Sequence, residues 1–172
     1  AVIDANPYQQ IFDTTVWLQN CKIERISPLW FGMKSTNTDN TKYLQHTFDN
    51  ARQNGTYNFY IPAGDYSYSG TWFLHHLVGN EYQGWSMRIY GDGNMWSSKT
   101  ILRYKSGGVG IALQRAKGVI IEGIYLRGIY PPPANGTQAY YNNPFPNWQG
   151  HSGISIDWDG SKNLGGSTGV FI

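Results

Sequence analysis

The chain has 172 residues, of which 40% are hydrophobic, 16% aromatic and only 14% charged, with a formal net charge of +2. That length supports one domain with a substantial core, and a composition rich in aromatics and poor in charge excludes a disordered chain. The Lys and Arg residues are scattered, which argues against nucleic acid or an anionic membrane surface as the main partner, and no apolar run approaches the ~20 residues of a membrane-spanning helix.

Residues 1–30 open on "AVIDANPYQQIF", strand-like from the start, and continue in short apolar runs: Ile11 and Phe12, Val16 and Leu18, Cys21 and Ile23. They read as a strand meander leading to the aromatic pair Trp30-Phe31. Cys21 is the single cysteine, so no disulfide forms within the chain, and it reads as a small buried hydrophobe. The sequons at Asn54 and Asn135 are what an Asn-, Gly- and Thr-rich chain produces by chance.

The stretch "TKYLQHTFDNARQNGTYNFYIPAGDYSYSG", residues 41–70, changes hydrophobic period midway. Tyr43, Leu44, Thr47, Phe48 and Ala51 share one face of a helix. Thr38, Asp39 and Asn40 stand where a side-chain oxygen caps free backbone N–H groups, and Gly55 stands where a left-handed C′ residue ends the helix. The spacing predicts one α-helix over about 40–53. Beyond it Tyr57, Phe59 and Ile61 point one way and Asn58 and Tyr60 the other, as on a strand. Pro62-Ala63-Gly64 then reads as a turn between strands.

Residues 70–85, "GTWFLHHLVGNEYQGW", fit no period and read as a loop or short insertion with apolar anchors. "SMRIYGDGN" gives a strand and a Gly-rich turn. Strand cores follow at Ile101-Leu102, Ile111-Leu113, Val119-Ile121 and Ile124-Leu126, separated by Gly or small polar turns, with no helix between them. Segments this short, with corners every few residues, predict a right-handed parallel β-helix, whose coils stack in one direction. Residues 128–150 interrupt the pattern with five Pro and no periodicity; a structureless loop of this length is often functional. "HSGISIDWDG" then restores a strand at Ile154-Ile156. Ile111 and Ile154 lie 43 positions apart, and without the 23-residue excursion the remaining length suits one coil. "GVFI" begins a further strand at the end of the sequence. A solenoid stopping there would leave open ladder edges, so the chain is expected to be the front part of a longer protein.

The stretch "PLWFGMKSTNTDNTKYLQHTFDNARQNGTYNFYIPAGDYSYSG" resembles the opening of the pectate-lyase-like (pectin lyase superfamily) β-helix proteins, with their "WFGAKGDG", "TDDTAALQAAIDAA" and "VYIPAGTY" patterns. Trp30-Phe31-Gly32, Thr38-Asp39-Asn40-Thr41, Leu44-Gln45 and Tyr60-Ile61-Pro62-Ala63-Gly64 with Tyr66 carry the likeness. Ile89-Tyr90-Gly91-Asp92-Gly93 with Thr100-Ile101, and "GVIIEGIYLRG", resemble the family's next coils. The resemblance covers about residues 25–128. It departs where "GMKSTN" replaces "GAKGDG" and "DN" replaces "DD". It implies residues 1–30 leading into the first coils of a β-helix over 31–172.

The family holds secreted and periplasmic polysaccharide lyases and hydrolases, and trimeric phage tailspikes and tail fibres. Asn- and Tyr-richness and the upstream segment incline towards the phage type. The resemblance thus implies a virion tail protein, homotrimeric or part of a larger assembly, that recognises and depolymerises or only binds a cell-surface glycan. The alternatives are a secreted or periplasmic bacterial lyase or glycoside hydrolase, and a non-catalytic structural virion protein. Catalytic residues of this family lie mostly on later coils.

Two groups of residues carry candidate chemistry. Asp157 and Asp159 flank Trp158 on a strand, so both carboxylates project from one face. Such a pair can divide acid and base roles in glycoside cleavage or hold Ca²⁺ with carbonyls; a solvated end-of-strand pair is the plainer reading. "DWDGSKN" is not an EF-hand loop, because its glycine falls too early. Tyr140, Tyr141, Phe145 and Trp148 on the Pro-rich excursion, with Trp158 beyond it, offer ring faces for sugars, or equally pin the loop to its surroundings. His75, His76 and His151 lack metal-ligand spacing with Cys or carboxylates, and "GDGNMWSSKT" lacks the fingerprints of nucleotide-binding loops. No resident cofactor or metal is expected beyond the Ca²⁺ option.

Overall fold

The structure, a computed structural model, describes residues 1–75, 77–78, 81–82, 86–93, 99–106, 109–114, 116, 118–128, 152–157 and 172. It is mainly β. The strands are β1 (Val2–Ile3), β2 (Lys22–Ile23), β3 (Asn58–Ile61), β4 (Gly64–Tyr68), β5 (Trp72–His75), β6 (Leu77–Val78), β7 (Glu81–Tyr82), β8 (Met87–Gly91), β9 (Thr100–Tyr104), β10 (Val109–Gln114), β11 (Val119–Glu122), β12 (Tyr125–Arg127) and β13 (Ser152–Asp157). The helix α1 spans Thr41–Asn54, and a 3-10 turn spans Pro28–Phe31.

Nine of these strands make three three-stranded sheets, ordered β3-β8-β11, β4-β9-β12 and β5-β10-β13, and every pairing within them is parallel. The chain therefore visits the three sheets in the same order three times. Among the described residues β6 and β7 form the one antiparallel pair. Ile111 pairs with Ile154, the register anticipated across the Pro-rich excursion.

Period-two alternation decides which side chains turn inward. Ile26, Phe59, Ile89 and Ile121 lie in register through successive parallel pairings and are all buried. Trp72, Ile111 and Ile154 make a second column, and Tyr66, Leu102 and Leu126 a third. Burying each such side chain contributes roughly 1.5–3 kcal/mol. Corners between sheets need backbone close to backbone. Gly123 has φ +63°, and a Cβ there would lie 2.7 Å from the Gly91 carbonyl oxygen, so a side chain fits neither the conformation nor the space.

α1 packs Leu44, Thr47, Phe48, Asn50 and Ala51 inward and ends at Gly55, which is left-handed as expected (φ +63°). Its start is built differently from a simple cap. Asn40 occupies the cap position without a capping bond from its side chain. Its fully buried amide instead accepts from the Lys34 backbone N–H (3.1 Å) and donates to the carbonyls of Lys34 and Ser67 (both 3.0 Å). A carboxylate could not make those two donations, so the position calls for an amide. Asp39 accepts from the Thr41 backbone N–H (2.9 Å) and the Ser69 hydroxyl (2.5 Å), tying the helix start to the residue after β4.

Four local expectations are revised. Residues 70–85 are more than an anchored loop: Trp72–His75 is a strand of the third sheet, with Trp72 and Leu74 buried. The runs at Ile11-Phe12 and Val16-Leu18 are irregular backbone, and strand pairing in residues 1–27 is limited to β1 with β2, in parallel, and the single Ile26–Phe59 bridge. Helix side chains substitute for a neighbouring strand there. Asn50 Oδ1 accepts from the Leu18 N–H (2.7 Å), Asn54 Nδ2 donates to the Leu18 carbonyl (2.7 Å), and Asn54 Oδ1 accepts from the Cys21 N–H (3.2 Å). Cys21 is half-buried. Tyr57 does not share the inward face of Phe59 and Ile61; it precedes the strand and is exposed.

Candidate functional site

The outer face of the β3-β8-β11 sheet follows from the same alternation. In "MRIYG", Met87 and Ile89 point inward, so Arg88 and Tyr90 point outward. Register then stacks Tyr60, Tyr90 and Glu122 in one outer row and Asn58, Arg88 and Ile120 in the next. The Tyr60 and Tyr90 rings lie 5.1 Å apart. The Arg88 guanidinium sits 4.5 Å from the Tyr90 ring centre and donates from Nε to the Glu122 carboxylate, so ring and carboxylate together fix its position.

Residues 2–5 and 22–25 rise beside this face and close a groove of about 580 Å³. Val2, Ile3, Asp4 and Ala5 make one wall; Lys22, Glu24 and Arg25 make another; Asn58, Arg88 and Tyr90 are the floor. Asn58 Nδ2 donates to the Glu24 carbonyl (3.1 Å), joining wall to floor. The Arg25 guanidinium lies 5.0 Å from the Tyr60 ring centre. The wall is held in place from below: Trp30 Nε1 donates to the Asn6 carbonyl (2.8 Å), and the Ser27 hydroxyl donates to the Pro7 carbonyl (3.0 Å).

Beside the groove, Tyr60 is buried although it faces outward, because Tyr8 covers it. Its hydroxyl donates to Asp92 Oδ1 (2.5 Å), while Asp92 Oδ2 accepts from the Ala63 N–H (2.7 Å) and the Tyr8 hydroxyl (3.4 Å). Burial first, then the Asp92 carboxylate, pushes the Tyr60 phenol far above its ordinary range. Burial likewise pushes Tyr66 up to about 12, with added repulsion from Asp92. Both phenols stay neutral at any physiological pH, as hydrogen-bond donors rather than bases.

The arrangement offers an aromatic face, an amide, cations and carboxylates in one open channel, the means of holding a polyhydroxylated ligand. Among the described residues, no group of three or more His, Cys, Asp and Glu is placed to hold a metal ion, and no helix is long and apolar enough to cross a membrane. The candidates drawn from the sequence fall mostly outside the described residues. Asp157 ends β13, its backbone in register with Gln114. Its side chain, with Asp159, Trp158, Tyr140, Tyr141, Phe145 and Trp148, falls outside the described residues, as do the side chains of His75, His76 and His151. The groove residues Lys22, Arg25, Arg88 and Tyr90 were missed by sequence reasoning. The signal was present for Arg88 and Tyr90, as the outward half of an alternating strand, but nothing local brings residues 22–25 beside them. No protein-family profile, curated protein or solved structure matches this chain.

Proposed function

We propose that the chain forms the first coils of a right-handed parallel β-helix of the pectate-lyase-like kind, and that it recognises a polysaccharide, as a phage tailspike or tail fibre does. Three passes through three parallel sheets in constant order support the solenoid. A strand that crosses over to pair in parallel within its own sheet does so right-handedly in almost all cases, which supports the hand. Assembly as a homotrimer in a virion tail is what the family resemblance adds.

The observation that carries the reading is the groove on the outer β3-β8-β11 face, where a ring face, an amide and charged groups converge in about 580 Å³. A rigid sheet repeating its outer side chains every ~4.8 Å from strand to strand suits a repeating polymer. A purely structural connector needs no such channel.

The test is binding of the chain to purified bacterial surface polysaccharides, followed by analysis of the polymer. Binding without cleavage is the outcome of a recognition module. Shortened chains with an ultraviolet-absorbing unsaturated end identify a lyase, and shortened chains without one identify a hydrolase. Tyr90→Ala is expected to weaken binding by about tenfold, the loss of one stacking and orienting face. Full affinity in that variant would move recognition away from the groove.

A further inference from the structure

Three peptide bonds among the described residues join an Asn or Asp to a Gly or Pro, the pairs in which side chain and backbone most readily react: Asn6–Pro7, Asn54–Gly55 and Asp92–Gly93. Two of them are locked. The Gly55 N–H, the nucleophile at such a bond, donates to the Arg52 carbonyl, and the Asn54 amide is bonded to Leu18, Asn50 and Cys21. The Gly93 N–H donates to the Gly123 carbonyl (3.0 Å), and Asp92 is held by Tyr60 and Ala63. Asn6–Pro7 differs on both counts. Pro7 has no N–H, so ring closure through the following nitrogen cannot occur. What remains is attack by the Asn6 side-chain nitrogen on its own carbonyl carbon. Asn6 is exposed, and its Nδ2 donates to nothing among the described residues. Its Oδ1 accepts from the Tyr8 N–H (2.9 Å), which holds the carboxamide on the side of the bond to Pro7. Its carbonyl oxygen accepts from the indole N–H of Trp30 (2.8 Å), a side chain only 1% exposed. Across the bond Pro7 is buried, and its carbonyl accepts from the Ser27 hydroxyl (3.0 Å).

We infer that Asn6–Pro7 is a self-cleavage site, at which the Asn6 side chain severs the backbone and releases the residues before Pro7. Asn6 Nδ2 forms a bond to the Asn6 carbonyl carbon, and negative charge collects on the oxygen that the Trp30 N–H already faces. The carbonyl then re-forms, the bond to the Pro7 nitrogen breaks, and that nitrogen takes the proton that Nδ2 gives up. The products are a chain beginning with Pro7 and a fragment ending in a five-membered succinimide. Atoms balance without water or any co-reactant. Fixed placement of nucleophile and donor is what the fold adds to a reaction that is slow in a free peptide. The released residues include β1 and the groove wall of Val2–Ala5, and a two-residue pairing with β2 is the ladder left to hold them. The cleavage does not depend on what the groove binds.

The experiment is incubation of the purified chain at neutral pH and body temperature for several weeks, folded and in concentrated guanidinium chloride, followed by mass spectrometry. Asn143–Pro144, the chain's other Asn–Pro bond, gives the unassisted rate in the denatured chain. Cleavage after Asn6 is expected to be at least about tenfold faster in the folded chain than in denaturant, less than the full worth of an oriented donor. The short fragment should end in the succinimide or, once water has opened that ring at either carbonyl, in a mixture of Asn and its isomeric aspartic α-amide. Asn6→Ser keeps an acceptor for the Tyr8 N–H and removes the attacking nitrogen, so it is expected to abolish the cut and leave the fold intact. Equal rates in folded and denatured chains would overturn the inference, leaving only the intrinsic lability of an Asn–Pro bond. No cleavage after Asn6 would overturn it as well. A fragment ending in Asn alone, with the same cut persisting in the Asn6→Ser variant, would assign the break to a contaminating protease and also overturn it.

Discussion

The stacked sheets and the segment of residues 1–27 are neighbours held by different forces. In the sheets, columns such as Ile26, Phe59, Ile89 and Ile121 bury apolar surface in register, and the backbone bonds come from parallel ladders. In residues 1–27 ladder bonding is short, and side chains of other elements take its place: Asn50 and Asn54 from the helix, Trp30 from the 3-10 turn, Tyr60 from β3. The candidate groove lies at the junction, with its floor on the first kind of structure and its walls on the second. Floor geometry is thus set by packing and wall geometry by a few polar contacts, so the walls can fail while the floor holds.

The sharpest test of that separation is Ile89→Ala. Ile89 is fully buried between Phe59 and Ile121 in the middle strand of its sheet, where surrounding side chains on both sides limit collapse into the cavity. The expected loss is about 3 kcal/mol, within the range for a buried aliphatic truncated to Ala, read as a lower midpoint in urea. It should loosen sheets, walls and groove together, because the helix, the 3-10 turn and β3, whose side chains hold the walls, pack on the same core. A loss under about 1 kcal/mol would mean that the columns do not carry the fold.

Asn50→Ala probes the other region. The Asn50 amide is fully buried, accepts from the Leu18 N–H at 2.7 Å and donates to the His46 carbonyl at 3.0 Å. Removing it leaves a backbone N–H without its partner, a cost of about 2 kcal/mol, offset in small part by the better helix propensity of Ala. Hydrogen exchange is expected to accelerate at Leu18 far more than at Ile89. Equal acceleration at both would show that residues 1–27 and the sheets unfold as one unit.

The same contrast explains what was legible in the sequence. Features set by local chemistry were readable: the helix face of Leu44, Phe48 and Ala51, the left-handed Gly55, the Pro62-Ala63-Gly64 corner and even the Ile111–Ile154 register, since alternation and small turn residues dictate them. The apolar runs at Ile11-Phe12 and Val16-Leu18 misled, because they bury side chains without a strand partner; the backbone partner is the Trp30 carbonyl for Ile11 and Phe12 and the helix residue Asn50 for Leu18, which no two-residue period announces. The burial of Tyr60 was hidden for the same reason, its cover being Tyr8, 52 positions away. The groove was illegible as a site. Its residues are individually ordinary, and only the stacking of residues 2–5, 22–25, 58 and 88–90 brings them together.

The smallest effect, and the most specific, concerns the polar clip at Asp39, which joins the helix start to the sheets. Burial opposes its charge, but hydrogen bonds from Ser69 and Thr41 outweigh that and hold its carboxyl down at about 2, against an ordinary 3.8. A depressed folded pKa means that the stabilisation is fully present above the ordinary value and is lost as pH falls through the folded one. Asp39 is exposed, so solvent screening limits the contribution to the order of 1 kcal/mol. Asp39→Asn should therefore lower the urea midpoint at about pH 7, and the difference from the parent protein should shrink as pH falls to about 2 and below, where the folded Asp39 carboxyl takes up its proton. A difference that stays constant across that range would assign the clip to hydrogen-bond geometry alone. The helix start would then be held, like the column interior, by forces that do not respond to charge.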